Sequence, residues 1–123
     1  MGKSTHNNVL DAALNYVKTN GSRLCVCSTE PTTYAEATST NMLALGTIDS
    51  DDYTGPADDT SGRKLTVNEQ ASITISNTGN AQHVAIADSE AGLLVVTTCT
   101  LQALSAGNYV TVPAWEIAIA DPT

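Results

Sequence analysis

Apolar positions change their spacing along the chain, and the changes mark out its elements. From Asn8 to Thr19, the residues Val9, Leu10, Ala13, Leu14 and Val17 recur at helical spacing. Asn7 or Asn8 stands where an N-cap belongs, Asp11 lies in the first turn and Gly21 supplies the stop. The spacing predicts one amphipathic helix of about three turns, an ordinary globular length. Its apolar stripe needs a sheet to lie on.

The period then shortens. Residues 23–28 read as a strand with Leu24 and Val26 on one face and Cys25 and Cys27 on the other, ended by Pro31. Residues 32–40 are ambiguous; Tyr34 to Ala37 fit a short helical turn with Thr32 or Thr33 as its cap. Residues 42–48 are strand-like, interrupted by Gly46. Asp, Ser, Thr, Gly and Pro fill residues 49–62, which predicts a long, exposed acidic loop.

Beyond it, Leu65, Val67, Ala71, Ile73 and Ile75 alternate with polar residues, the pattern of a half-buried strand, and Glu69 interrupts it where a bend or bulge belongs. Asn77-Thr78-Gly79-Asn80 predicts a hairpin turn, with residues 82–87 returning as the partner strand. Leu93 to Leu101 is apolar on both faces at its start, as a central strand is. The last strand, Tyr109 to Ile119, carries Pro113, which marks an edge or bulge, and Trp115, Ile117 and Ile119 share one face beyond it. Short turns between these segments predict an antiparallel meander or sandwich-like domain, mainly β, with one N-terminal helix. The expected organisation is a flexible arm at 1–7 and a single domain at 8–123.

Composition sharpens this picture. Charged residues make up only 15% of the 123 residues, so Thr, Ser and Asn carry much of the polar surface, which suits strands. With no Phe and one Trp, the core must be filled by aliphatic side chains. Such a core is thin, and association with further copies or a larger body would add burial. The net charge of −8 argues against binding nucleic-acid phosphate or an anionic membrane surface. Arg63 and Lys64 are adjacent cations, but they follow the acidic stretch that offsets them. No apolar run is long enough for a transmembrane helix, and residues near Met1 lack the apolar stretch of a secretory signal. His6 replaces the Ser or Thr that a myristoylation signal needs. The expectation is synthesis in a cytoplasm, with Cys25, Cys27 and Cys99 reduced and mostly buried.

Candidate chemistry is sparse. His6 and His83 are the two histidines; one lies in the arm and the other within a strand, so no base is set beside a nucleophile, and a G-x-S-x-G elbow is missing. Cys25, Cys27, Cys99 and His83 are four possible zinc ligands, but C-x-C within an apolar strand reads better as small buried side chains. Asp49, Asp51, Asp52, Asp58 and Asp59 resemble a cation loop, yet Thr54 stands where a calcium loop needs Gly. Phosphate-binding glycine motifs are missing, and the Asn20-Gly21-Ser22 sequon reads as the helix stop. The expectation is a non-enzyme without cofactor or metal.

Several phrases together carry a family resemblance: Ser28 to Ala37 (STEPTTYAEA), Thr54 to Asp58 (TGPAD), Ser61 to Val67 (SGRKLTV), Val96 to Thr100 (VTTCT) and Pro113 to Ile117 (PAWEI). They resemble small virion structural proteins of tailed bacteriophages, of the head decoration or cement kind. The resemblance implies a protein made in the bacterial cytoplasm that coats the capsid exterior in many copies. It would bridge major capsid subunits and self-associate, as trimers at threefold positions. Candidate contacts are Lys3, Thr5 and His6 in the arm and Tyr53, Arg63 and Lys64 in and beside the acidic loop. A receptor- or glycan-binding module of a tail or fibre is the alternative; such modules usually show repeats or an aromatic cluster, and the sequence has neither.

Overall fold

The computed structural model describes residues 5–121. Lys3 and most of the expected arm lie outside the described residues. Helix α1 spans Asn7–Asn20, and His6 rather than an asparagine caps it, its Nδ1 accepting the Asn8 N–H at 3.1 Å. Leu10 and Leu14, four residues apart, are the buried stripe, and Val17 packs on the core one turn later. At the far end the Gly21 N–H donates to the Val17 carbonyl at 2.7 Å. A Cβ at Gly21 would come within 2.5 Å of the Ile86 side chain, so the helix stops on a residue that lets the backbone approach the sheet.

Four antiparallel strands form the main sheet in the order β2-β1-β6-β7: β1 Arg23–Cys27, β2 Met42–Thr47, β6 Gly79–Asp88 and β7 Gly92–Leu104. The alternation expected of β1 holds. Leu24 and Val26 join Leu14, Ile86 and Val84 in the main core, while Cys25 and Cys27 form a smaller cluster with Ala85 and Ala37. Small side chains on that second face let a π-helical turn, Glu36–Thr40, lie close, with the Cys27 thiol 3.6 Å from the Ala37 carbonyl. The turn is held as its sequence foretells: Glu36 Oε1 accepts from both the N–H and the hydroxyl of Thr32, and Thr33 Oγ1 accepts the Glu36 N–H.

A second sheet runs β3-β4-β9, with β3 Tyr53–Asp58, β4 Arg63–Val67 and β9 Trp115–Ile119. The expected loop at 49–62 is therefore corrected. A 3-10 turn, Ser50–Asp52, capped by the Asp49 carboxylate, leads straight into β3, and the remaining turn to β4 is short. The segment reads as loop because β3 is an edge strand whose outer positions are exposed, and its ladder slips where Gly55 and Pro56 sit.

The hairpin expected around Asn77-Thr78-Gly79-Asn80 does not form. The chain bends after Val67, as Glu69 foretells, and β5 Gln70–Thr74 pairs with β8 Tyr109–Val112 in a third, two-stranded sheet. Strand β6 instead pairs with β1 and β7. Side chains at the turn hold it open: Asn77 Nδ2 donates to the Met42 carbonyl at 2.9 Å, and Thr78 Oγ1 accepts the Ala106 N–H at 3.0 Å. Alternation fixes which face of a strand is buried but not which strand lies beside it. The simple C-terminal meander is corrected accordingly, while the mainly β, antiparallel class with one N-terminal helix stands. Strand β7, expected at the centre, lies at the end of the main sheet.

Candidate functional site

Two features of β7 place it apart from the other strands. It is thirteen residues long and carries no charged side chain between Gly92 and Leu104. It pairs with β6 on one side, in a ladder whose register shifts between Leu93 and Val95 and again between Thr98 and Gln102; on the other side no strand pairs with it among the described residues. From Thr98 to Ala103 every residue is exposed, and Leu101 is 59% accessible. The main chain along this edge therefore presents unpaired donors and acceptors to solvent.

Beside the edge a groove of about 530 Å³ opens between the C-terminal half of β7 and the segment from Asn108 to Pro113. Its floor is core: Val26, Ala81, Val84 and Val112 reach it from β1, β6 and β8, and Ile75 from just beyond β5. A smaller hollow of about 240 Å³ shares Val84, Cys99, Val112 and Pro113 with it and extends to Trp115. Pro113 and Ala114, where β8 breaks from β9, form part of the far wall. Tyr109, 69% exposed, stands on the rim.

Ionisable side chains are few on this surface: Cys99, Tyr109 and Glu116 are those that line the two hollows. Cys99 is an exposed thiol at the groove, and partial burial raises its pKa, so it is a weaker nucleophile than a free cysteine at neutral pH. His83 sits on β6 opposite Cys27 and Thr98, half-buried, with Nδ1 buried and unpartnered among the described residues. Burial pushes the Cys25 thiol up to about 12 and the Cys27 thiol to about 11. Both are closed to solvent. No three His, Cys, Asp or Glu side chains converge among the described residues.

The contacts expected from the sequence fall elsewhere. Tyr53 is only 4% exposed and its hydroxyl donates to the Gly21 carbonyl, so its side chain lies in the core. Burial raises its pKa, with the Asp52 carboxylate adding to the shift. Arg63 is held by Asp11 of α1 at 2.8 Å and Asp58 at 2.7 Å, and Lys64 pairs with Glu116 at 3.0 Å. These pairs raise the pKa of both cations and leave neither isolated. Thr5 is half-buried and His6 caps the helix. None of these residues lines the groove.

Asp49, Asp52, Asp58 and Asp59 are likewise engaged in local structure. Asp49 and Asp52 cap the 3-10 turn reciprocally, Asp52 also accepts from Gln70, and Asp59 accepts the Thr60 N–H. No family model, curated protein or solved structure matches the chain.

Proposed function

We propose that the chain is a structural virion protein that binds the outer surface of a phage capsid in many copies and stabilises it. The observation that carries this reading is the uncharged, unpaired β7 edge beside an open apolar-floored groove. A strand edge binds an extended segment through main-chain hydrogen bonds, and neighbouring hollows take its side chains. The sequence resemblance supplies the partner, the major capsid protein, and the location on the particle exterior. The remaining surface is acidic and Arg63 and Lys64 are held by carboxylates, which favours a soluble body while one neutral face docks.

A receptor- or glycan-binding role in a tail or fibre has one observation in its favour, the exposed Tyr109 ring at the groove rim, on which a sugar can stack. Quantitative mass spectrometry of purified virions separates the two readings. A copy number comparable with that of the major capsid subunit is the expected result. A few copies per particle would favour the tail module, and absence from the particle would overturn both.

A further inference from the structure

We propose that Asn20-Gly21 is a spontaneous deamidation site that the end of α1 holds shut, and that its reaction loosens the helix from the body irreversibly. Neither residue lines the groove, and the site does not depend on capsid decoration.

Asn20-Gly21 is the one Asn-Gly pair in the sequence, and Asp-Gly does not occur. An asparagine side chain is a primary amide whose carbon the next residue's backbone nitrogen can attack, and glycine presents that nitrogen with no side chain in the way. The Gly21 amide gives its proton to hydroxide, its nitrogen bonds to Asn20 Cγ, and the Cγ–Nδ2 bond breaks as ammonia leaves with a proton from water. Water then opens the cyclic imide at either carbonyl, giving aspartate or its β-linked isomer. Water is the only co-reactant.

In the folded chain both reacting groups are occupied. The Gly21 N–H donates to the Val17 carbonyl at 2.7 Å, which holds the proton on the nitrogen and fixes the peptide plane. Asn20 Nδ2 donates to the Tyr16 carbonyl at 2.9 Å, which turns the side chain back along the helix, away from Gly21. The Gly21 carbonyl accepts from the buried Tyr53 hydroxyl at 2.9 Å and ties the residue to the second sheet. Reaction therefore requires the last turn of α1 to open, and its rate follows the population of the opened state.

The products do not fit back. Aspartate in place of Asn20 replaces the amide donor by a carboxylate facing the Tyr16 carbonyl, at the helix end where negative charge is disfavoured. The β-linked isomer adds a methylene to the main chain beside Gly21, where a carbon added to that residue would already lie 2.5 Å from Ile86 and 2.7 Å from the Val17 carbonyl. Both weaken the hold of α1, whose Leu10 and Leu14 are buried against the body.

The test is mass spectrometry of the tryptic peptide Thr19–Arg23 after the full chain stands at mildly alkaline pH with and without unfolding urea. Expected is conversion of Asn20 slower in the folded chain by more than about tenfold, with an intermediate rate in folded Tyr53→Phe, which frees the Gly21 carbonyl. Chain converted in urea and returned to buffer should show faster amide exchange in Asn7–Asn20 than unconverted chain taken through the same cycle. Asn20→Asp makes the first product without the reaction and should show the same faster exchange. Equal rates with and without urea, or no conversion in urea, would overturn the guarded site. Unchanged exchange in α1 after full conversion would overturn its release.

Discussion

The Tyr53 hydroxyl donates to the Gly21 carbonyl at 2.9 Å, joining the start of β3 to the end of α1 inside the core. The bond meets the last carbonyls of a helix with a buried donor from a different sheet. It also sets the distance at which the helix lies. Replacing Tyr53 by Phe leaves the Gly21 carbonyl without that donor. The expected loss of stability is about 1–3 kcal/mol by urea denaturation.

Three buried acids make the fold sensitive to alkali. The Cys25 and Cys27 thiols are raised from an ordinary 9.0 to about 12 and about 11, chiefly by burial, and the Tyr53 phenol is raised in the same way. The unfolded chain releases these protons at ordinary pH values while the folded chain keeps them. Their contribution is fully present below about pH 9, the unfolded thiol value, and is lost as pH rises through the folded values. Denaturation midpoints should therefore fall steadily between about pH 9 and pH 12. The fall should be shallower in Cys25→Ala, once its own cavity effect is subtracted at neutral pH.

Leu65 and Leu101 should behave as opposites. Leu65 on β4 is fully buried among Leu14, Val67 and Ile117, and its truncation to Ala should cost about 2–5 kcal/mol. Leu101 is 59% exposed, and Leu101→Ser should change stability of the isolated chain by less than about 0.5 kcal/mol. Thermal melts of dilute protein read both.

Thiol labelling gives a third view of the same surfaces. In native, dilute protein a thiol reagent should modify Cys99 alone, and more slowly than a free cysteine because its pKa is raised. All three thiols should react after denaturation. Early reaction at Cys25 or Cys27 would mean that the π-helical turn does not cover them.

Helix α1, the two faces of β1 and the Thr32–Glu36 cap are legible in the sequence because each depends on residues a few positions apart. Strand pairing is not local. Leu65 to Ile75 reads as one bent strand, yet its halves enter different sheets, and the Asn77 and Thr78 side chains that redirect the chain act on Met42 and Ala106, 35 and 28 residues away. Strand β3 stays hidden because only its first residue, Tyr53, is buried. The groove has no local signature, since its walls meet only when β8 pairs with β5. Its one advance signal is the absence of charge from Gly92 to Leu104.

Decoration by the β7 face is tested most directly by adding purified chain to capsids that lack it and counting bound copies, for the wild type and for Thr100→Lys/Leu101→Lys. Saturable binding of the wild type in proportion to capsid subunits, sharply reduced in the variant, is the predicted result. No binding by the wild type, or equal binding by a correctly folded variant, would contradict it.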